Sequence, residues 1–384
     1  MSTDDKTLVP LQIDVLGVDN DEISQLIRTM RVQEDGFVVA ADLVKAVDEN
    51  FVINHCFYGA LQAVMKQQQI QLEETDIYYL CNGPSIAYAG GNQYDTFGLD
   101  PMIRMLQEWN DHTGVDISYT RVDQDNRDHA AIVQEWYEVL SSGKTLLLHA
   151  DTGSLNYNEL LSASPGGGHV VQLYGLQPSE DIAYIIDHFL LDKAGKVLGY
   201  NGTVRISDLL EGLVEYGSIQ STPGTKIPPE QILSAAITHL EEFLSGGIDE
   251  HGQAHGIAAY RLLNTEMMNL SELDDEAFEE ACGIIYYHLR VESLVHLLRY
   301  STQLAVQHEA LLGAEAPKLI RQIEQLQDHA QRLMMKLYKI GVRHNRSKLQ
   351  AWTDSNRELL EHMELHLGTL VKKLAAASKA ASVS

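Results

Sequence analysis

The feature that most constrains the fold is a change of hydrophobic periodicity at a proline- and glycine-rich linker, residues 222–229. Its sequence, Thr-Pro-Gly-Thr-Lys-Ile-Pro-Pro, is rich in residues that end helices and strands. Before the linker, short apolar runs typical of buried strands alternate with helical patterns; after it, almost every segment has helical spacing. We therefore predict an α+β domain over residues 46–225 and an all-α domain over residues 226–384.

Residues 1–45 precede these two domains as an N-terminal extension, with a strand predicted over residues 8–16 and a helix over residues 21–30. The extension is acidic at its start and lacks the apolar core of a signal peptide. The chain has no apolar run long enough to span a membrane. Its three cysteines have neither metal-ligand spacing nor the even number of a disulfide framework. These features predict a cytoplasmic protein with reduced thiols and no membrane association.

The formal net charge of −26 argues against nucleic-acid binding, which requires a basic surface. An acidic surface favours cationic small molecules such as amines. It is equally consistent with a surface that only keeps the protein in solution.

One helix places a cysteine where it can be reactive. Asn54 is the predicted N-cap, Cys56 lies in the first turn, and apolar residues continue to Met65. Unpaired N–H groups and the positive end of the helix dipole favour the thiolate, which is the nucleophilic form. Such a cysteine suits acyl-transfer chemistry, although a buried cysteine that serves only as a small apolar side chain would give the same pattern.

A predicted β-hairpin supplies two partners for this cysteine. One strand starts at His169, and the other includes Asp187. Because side chains alternate along strands, an odd-numbered turn would place both residues on one face, opposite or diagonal to each other. Asp187 could then orient the His169 imidazole. The order Cys, His, Asp along the chain is that of papain-like enzymes.

Four blocks of residues 50–190 resemble the N-terminal domain of butirosin biosynthesis protein H and its relatives. They are His55-Cys56 with Gly59-Ala60-Leu61; Leu72-Glu73-Glu74 with Gly83 and Tyr88; Leu146 to Asp151 with Leu155 and Tyr157; and His169-Val170-Val171 with Gly175 and Tyr184 to Asp187. The resemblance implies a papain-like cysteine acyltransferase domain followed by the family's helical domain. It also implies a role in specialised-metabolite biosynthesis, such as that of antibiotics.

The implied reaction moves an acyl group from a carrier protein's phosphopantetheine thioester to Cys56 and then to an amine, which forms an amide. The partners are an acyl carrier protein or peptidyl carrier domain and a small-molecule amine, and the enzyme itself binds no cofactor and no metal. The Cys56 backbone N–H, with Asn54, is the candidate oxyanion site. Asp151, Tyr88 and Tyr157 are candidate substrate-binding residues; Asp151 could equally cap a turn.

The helical domain carries two heptad seams joined near Gly341, which predict an antiparallel helical hairpin. The seams could form an intramolecular core or a homodimer interface. Between Arg332 and Lys348 the chain has six basic residues and no acid. Lys336, Lys339, Arg343 and Arg346 are therefore candidates for docking an acidic carrier protein, and a solvated helix face is the alternative.

Two other functions remain open from the sequence. A hydrolase, either an amidase or a peptidase, could use the same Cys, His and Asp residues, because exclusion of water from the acyl-enzyme decides between transfer and hydrolysis. A non-catalytic binding protein of the same fold is the second alternative.

Overall fold

The computed structural model describes residues 38–39, 53–99, 102–123, 128–162, 167–191, 197–221 and 224–381. The chain divides into two compact units: residues 1–74 with 114–226, and residues 75–113 with 227–384. The strand and helix predicted within residues 8–30 lie outside the described residues. The boundary near residue 226 falls at the linker, and residues 75–113 group with the C-terminal helices.

The first unit is built on an antiparallel sheet with strands β1 and β4 to β9. Six of the strands follow the order β4-β9-β5-β6-β7-β8, and β1 also pairs with β6. The strands are β1 (Val38–Val39), β4 (Ile117–Arg121), β5 (Leu146–Asp151), β6 (Gly168–Gln177), β7 (Ile182–Leu191), β8 (Val197–Arg205) and β9 (Leu213–Ile219). Its helices are α1 (Cys56–Gln67), α4 (His129–Ser141), α5 (Glu159–Ser162) and α6 (Ile206–Gly212).

A β-bulge sets which side chains of the β6–β7 hairpin share a face. The turn between the paired residues Gln177 and Ile182 has four residues, 178–181. The condition of an odd-numbered turn is therefore not met, and this turn alone would place His169 and Asp187 on opposite faces. However, the register shifts between Leu173 and Gly175. The extra residue, Tyr174, compensates for the even-numbered turn. Gln172 therefore pairs with Ile186, and on the far side of the bulge from the turn the odd-numbered residues of both strands share a face.

The sheet has a buried layer on each face. On one face, Leu148, Val171, Leu173 and Ile185 form a core with Trp136 of α4. On the other face, α1 packs against β6 and β7. The apolar residues that predicted the α1 helix are buried, which provides the hydrophobic stabilisation of this layer.

The second unit is mostly helical, with one small antiparallel sheet of order β10-β2-β3. Its strands are β2 (Ile86–Tyr88), β3 (Gly98–Leu99) and β10 (Ala254–His255). Its helices are α3 (Met102–Thr113), α7 (Pro229–Ser245), α8 (Ile257–Glu266), α9 (Asp275–Tyr287), α10 (Leu294–Gln307), α11 (Glu309–Leu312), α12 (Ala316–Val342) and α13 (Leu349–Ala381); helix α2 (Glu74–Leu80) begins at the last residue of the first unit. In the described part of the chain, no helix is both long enough and apolar enough to cross a bilayer.

The predicted helical hairpin is confirmed by α12 and α13. The apolar seam of α12 is buried, and the Trp352 indole N–H of α13 donates to the Leu333 carbonyl at 2.8 Å. Asn356 of α13 is buried and donates to Asn264 of α8 at 2.9 Å. The seams therefore form intramolecular core. A π-helical turn at His288–Glu292 separates α9 from α10.

Candidate active site

Cys56 is the first residue of α1, and its side chain is half-buried. The prediction that Asn54 is the N-cap is wrong. His55 is the N-cap, and its Nδ1 atom accepts a hydrogen bond from the Phe57 backbone N–H at 3.3 Å. An imidazole nitrogen can take the capping role of an Asn side-chain oxygen only while it is unprotonated. Burial, with a smaller contribution from the charge of His169, lowers the pKa of His55 to about 3, so the cap is maintained at neutral pH.

The buried carboxylate of Glu74 holds the segment that leads into α1. One carboxylate oxygen accepts from the backbone N–H groups of Asn54 and His55 at 2.9 and 3.0 Å. The other accepts from the Asn54 side-chain amide at 2.6 Å. Bonds to an ionised acceptor are stronger than neutral ones. Glu74 therefore fixes the two residues that precede the cysteine.

Cys56, His169 and Asp187 form one hydrogen-bonded cluster. The His169 Nε2–H donates to Asp187 Oδ2 at 2.8 Å, and both residues are buried. This bond leaves Nδ1 as the imidazole nitrogen for the hydrogen bond between His169 and Cys56. The cluster therefore has the order thiol, imidazole, carboxylate, with one imidazole nitrogen used on each side.

Burial disfavours the charged form of His169, but the opposing effects of its partners are larger in sum. The charges of Asp187 and Cys56, and hydrogen bonds to both, hold the pKa of His169 well above its ordinary value. An imidazolium between a sulfur atom and a carboxylate is the arrangement that stabilises a thiolate.

The Asp187 carboxylate accepts three hydrogen bonds. Oδ2 also accepts from the Tyr157 hydroxyl at 2.7 Å, and Oδ1 accepts from the Phe189 backbone N–H at 2.9 Å. Burial, followed by the charge of Asp187 and the hydrogen bond to it, raises the pKa of Tyr157 well above its ordinary value. Tyr157 therefore remains a neutral donor, and its ring stacks on Tyr200 with centroids 4.4 Å apart.

The other predicted substrate-binding residues have different surroundings. Asp151 Oδ1 accepts from the Gly153 N–H at 2.7 Å and caps the 3-10 turn Thr152–Ser154, as the turn-capping alternative predicted. Tyr88 is fully buried in the second unit, where its hydroxyl donates to Glu266 at 2.5 Å. Substrate roles for these residues, and an oxyanion role for Asn54, remain predictions.

The basic run lines a surface cleft of about 360 Å³ between α12 and α13. Lys336, Lys339, Arg343 and Lys348 contribute to its wall, together with Trp352 at its base. Arg346 is not among the lining residues. Its guanidinium donates to Asp275 at 2.8 Å and to the Leu273 carbonyl at 2.9 Å, and it lies 4.4 Å from the centroid of the Phe278 ring.

The sequence predicted Cys56, His169 and Asp187 as site residues but not the residues that position them. His55 and Glu74 lie within the blocks that carry the family resemblance, and no role was predicted for either. A signal for His55 was present, since a polar side chain directly precedes the first helical residue. Glu74 had no comparable signal, because its contacts with Asn54 and His55 span about 20 residues of sequence.

Residues 55–188 match the family model described as "Butirosin biosynthesis protein H, N-terminal". The match begins one residue before Cys56 and ends one residue after Asp187, so it includes all three members of the cluster. Comparison with curated proteins finds no match. The predicted resemblance is thus confirmed: this chain contains a domain similar to the N-terminal domain of butirosin biosynthesis protein H, together with a helical C-terminal region.

Proposed function

We propose that the protein is a cysteine acyltransferase with a papain-like catalytic domain. It moves an acyl group from a carrier-protein thioester to an amine, through an acyl-Cys56 intermediate. The observation that carries the proposal is the hydrogen-bonded Cys56–His169–Asp187 cluster at the start of α1. The family description, which refers to butirosin biosynthesis, supports a biosynthetic role.

The acylation half-reaction uses Cys56 as nucleophile and His169 as base. His169 takes the thiol proton, and the Cys56 sulfur attacks the thioester carbonyl. The phosphopantetheine sulfur then leaves and takes the proton from His169, so that one thioester replaces another. Asp187 keeps Nε2 protonated, which orients Nδ1 towards the reacting atoms.

The second half-reaction delivers the acyl group to an amine. His169 removes a proton from the attacking nitrogen, the amide forms, and Cys56 is released. In both half-reactions the carbonyl oxygen becomes negatively charged in the tetrahedral intermediate. The Cys56 backbone N–H belongs to the first helical turn, whose N–H groups lack intrahelical acceptors, and is the proposed oxyanion donor. The phosphopantetheine remains attached to the donor protein.

The decisive experiment is intact-mass spectrometry after incubation with an acyl-loaded carrier protein, followed by mapping of the adduct. We expect one acyl group on Cys56 and none on Cys81 or Cys282. Both of these thiols are buried. Burial raises the pKa of Cys81 well above its ordinary value and that of Cys282 to about 12, so neither forms a thiolate readily.

Cys81→Ala is the matched control and should acylate normally, whereas Cys56→Ala should not. Acylation of the Cys56→Ala protein would contradict the proposal. Adding candidate amines then separates transfer from hydrolysis. An acyl-enzyme that persists in water and decays only with an amine supports transfer, and decay at the same rate without an amine identifies a hydrolase.

The cleft between α12 and α13 is the proposed docking site for the carrier protein. Lys336, Lys339, Arg343 and Lys348 are exposed on a chain whose net charge is otherwise strongly negative. Carrier proteins are generally acidic, so an acidic enzyme requires a local positive surface for rapid encounter. Arg346 is left out of this proposed surface because its guanidinium is bound to Asp275 and Leu273.

The test compares two double variants on the same helix. Lys336→Glu with Lys339→Glu should slow Cys56 acylation by a carrier-bound donor about tenfold or more at low salt, and less at high salt. Lys318→Glu with Arg321→Glu changes the net charge equally at exposed positions outside the cleft and should have little effect. A small free thioester should acylate all three proteins equally. Equal losses in both variants would contradict docking at the cleft.

A further inference from the structure

A cluster of two histidines and one glutamate lies in the second unit, away from any role in the proposed reaction. Glu108 and His112 are one turn apart on α3, and His239 comes from α7. Each offers one potential ligand atom, and the three atoms lie within 4.8 Å of one another. We propose that Glu108, His112 and His239 bind a divalent transition-metal ion, with Zn²⁺ the best match to this donor set. The proposal is independent of the acyltransferase function.

The imidazoles of both histidines are oriented by backbone carbonyls. The Nδ1–H of buried His239 donates to the Tyr79 carbonyl at 2.6 Å, and that of His112 donates to the Glu108 carbonyl at 2.8 Å. Each bond fixes the tautomer in which Nε2 carries the lone pair. A hydrogen bond from the second ring nitrogen to a carbonyl or carboxylate is the usual feature of a metal-binding histidine.

The carboxylate of Glu108 lies close to the buried histidine: its Oε2 atom is 3.8 Å from His239 Nε2. The same oxygen is 3.8 Å from His112 Nδ1, the ring nitrogen that is bonded to the Glu108 carbonyl and is not the proposed ligand atom. The two rings are edge to face, with centroids 4.8 Å apart. Tetrahedral Zn²⁺ with nitrogen and oxygen ligands needs ligand atoms about 3.4 Å apart. The Glu108–His239 pair is therefore within about half an ångström of this spacing, and a pair at the full 4.8 Å would have to approach by roughly 1.4 Å.

The differing exposure of the ligands supports reversible binding. The His239 side chain is only 3% exposed, whereas His112 and Glu108 are 28% and 39% exposed. One ligand is thus fixed in the protein, and two can move at the solvent boundary. The Glu242 carboxylate, one turn after His239 on α7, interacts electrostatically with both Glu108 and His112 and adds negative charge beside the site. Three protein ligands leave a fourth position for water.

The sequence offered only part of this signal. Glu108 and His112 have the i, i+4 spacing that places two ligands on one helix face, but His239 follows more than 120 residues later. No metal site was predicted from the sequence.

The experiment is a calorimetric titration of the full-length protein with Zn²⁺, carried out in a Cys56→Ala background to remove the thiol as a competing ligand. We expect one saturable site per chain and a Zn²⁺-dependent rise in Tm. Glu108→Gln and His239→Asn should each weaken binding at least a hundredfold. Asn at position 239 can still donate to the Tyr79 carbonyl, so the variant removes the ligand with little other change. Substitution of Co²⁺ should give the visible absorption of a tetrahedral site.

His344→Asn is the matched control. His344 is an exposed histidine of the same unit, 3.0 Å from the Glu279 carboxylate and 3.5 Å from that of Asp275. Its loss should not change Zn²⁺ binding. If His239→Asn fails to fold, Glu108→Gln and His112→Asn at the solvent boundary provide the same comparison. No saturable binding by the parent protein, or binding unchanged by the Glu108 and His112 substitutions, would overturn the proposal.

Discussion

The β6–β7 hairpin carries two buried histidines that differ in their direct hydrogen-bond partners. His169 and His188 are 6% and 8% exposed. His169 contacts the Asp187 carboxylate, which holds the pKa of the imidazole well above its ordinary value. His188 lies 3.0 Å from the neutral side-chain oxygen of Gln172, and burial lowers its pKa to about 4. Burial alone keeps an imidazole neutral, whereas a carboxylate in direct contact makes it a cation.

His188 belongs to a network of uncharged amide and hydroxyl side chains. Gln172 also donates to Thr145 at 2.9 Å and to Gln67 of α1 at 3.2 Å. This network lies between α1 and the sheet, so its hydrogen bonds join the cysteine-bearing helix to β6. One strand pair thus presents the imidazole of the candidate site and, one residue beyond Asp187, an imidazole that belongs to this polar network.

The largest expected difference comes from changing each histidine to glutamine. His169→Gln should reduce Cys56 acylation by a simple thioester by roughly 10⁴-fold or more, because it removes the base. His188→Gln should leave the rate within about twofold, since glutamine can still donate to Gln172 and the change should cost only about 1–2 kcal/mol of unfolding free energy. Rates come from mass spectrometry and stabilities from urea unfolding. Equal loss of rate in both variants would show that the two histidines do not differ in their effect on acylation.

The next largest effect should come from Asp187→Asn, which makes the environment of His169 resemble that of His188. We expect a residual rate, roughly a hundredfold or more below the unaltered protein, because the orienting residue is the least indispensable of the three. The pKa of His169 should fall below its ordinary value, as measured by NMR of the imidazole Cε1–H. A fully active Asp187→Asn protein would show that another group orients the imidazole.

A smaller effect is expected for Tyr157→Phe. The variant removes one hydrogen bond to Asp187 but leaves the bonds from His169 and the Phe189 backbone, so acylation should slow about tenfold or less. Tyr200→Phe, which keeps the stacked ring, is the control and should have no such effect. If Tyr157 instead binds substrate, the variant should raise KM and leave the pKa of His169 unchanged.

The pH dependence of stability should have opposite signs at the two histidines. The folded pKa of His169 is raised, so its stabilising contribution is fully present below about pH 6.5 and is lost as pH rises through the folded pKa. The folded pKa of His188 is lowered, so its contribution is present above about pH 6.5 and is lost as pH falls towards 4. Urea unfolding of each glutamine variant and the parent from pH 4 to 9 checks this. For each variant, the difference from the parent in unfolding free energy is plotted against pH. Slopes of the same sign for the two variants would contradict the opposite pKa shifts of His169 and His188.

The sequence predicted the features that depend on local residue order and hydrophobic periodicity. Cysteine at a helix start, histidine at a strand start and the heptad seams all follow from local patterns. The structure has His169 in hydrogen-bond contact with Asp187 and next to Cys56, and the catalytic roles of the three residues remain predictions.

The sequence did not predict the features that depend on contacts between residues far apart in the chain. The bonds from Glu74 to Asn54 and His55 depend on how the chain folds back on itself, which no local pattern records. The same holds for the grouping of residues 75–113 with the C-terminal helices. The register of the hairpin also could not be predicted, because a four-residue turn and a bulge have opposite effects on parity and neither has a clear local signature here.

The bulge beside Tyr174 also limits how the length of this hairpin can change. Deleting Tyr174 alone would move every residue from His169 to Leu173 to the other side of the sheet relative to β7, and would separate His169 from Asp187 without altering either residue. Deleting Tyr174 together with one residue of the 178–181 turn would keep His169 and Asp187 on the same face of the sheet. Homologous chains that retain this chemistry should therefore gain or lose residues between the histidine and the aspartate in even numbers.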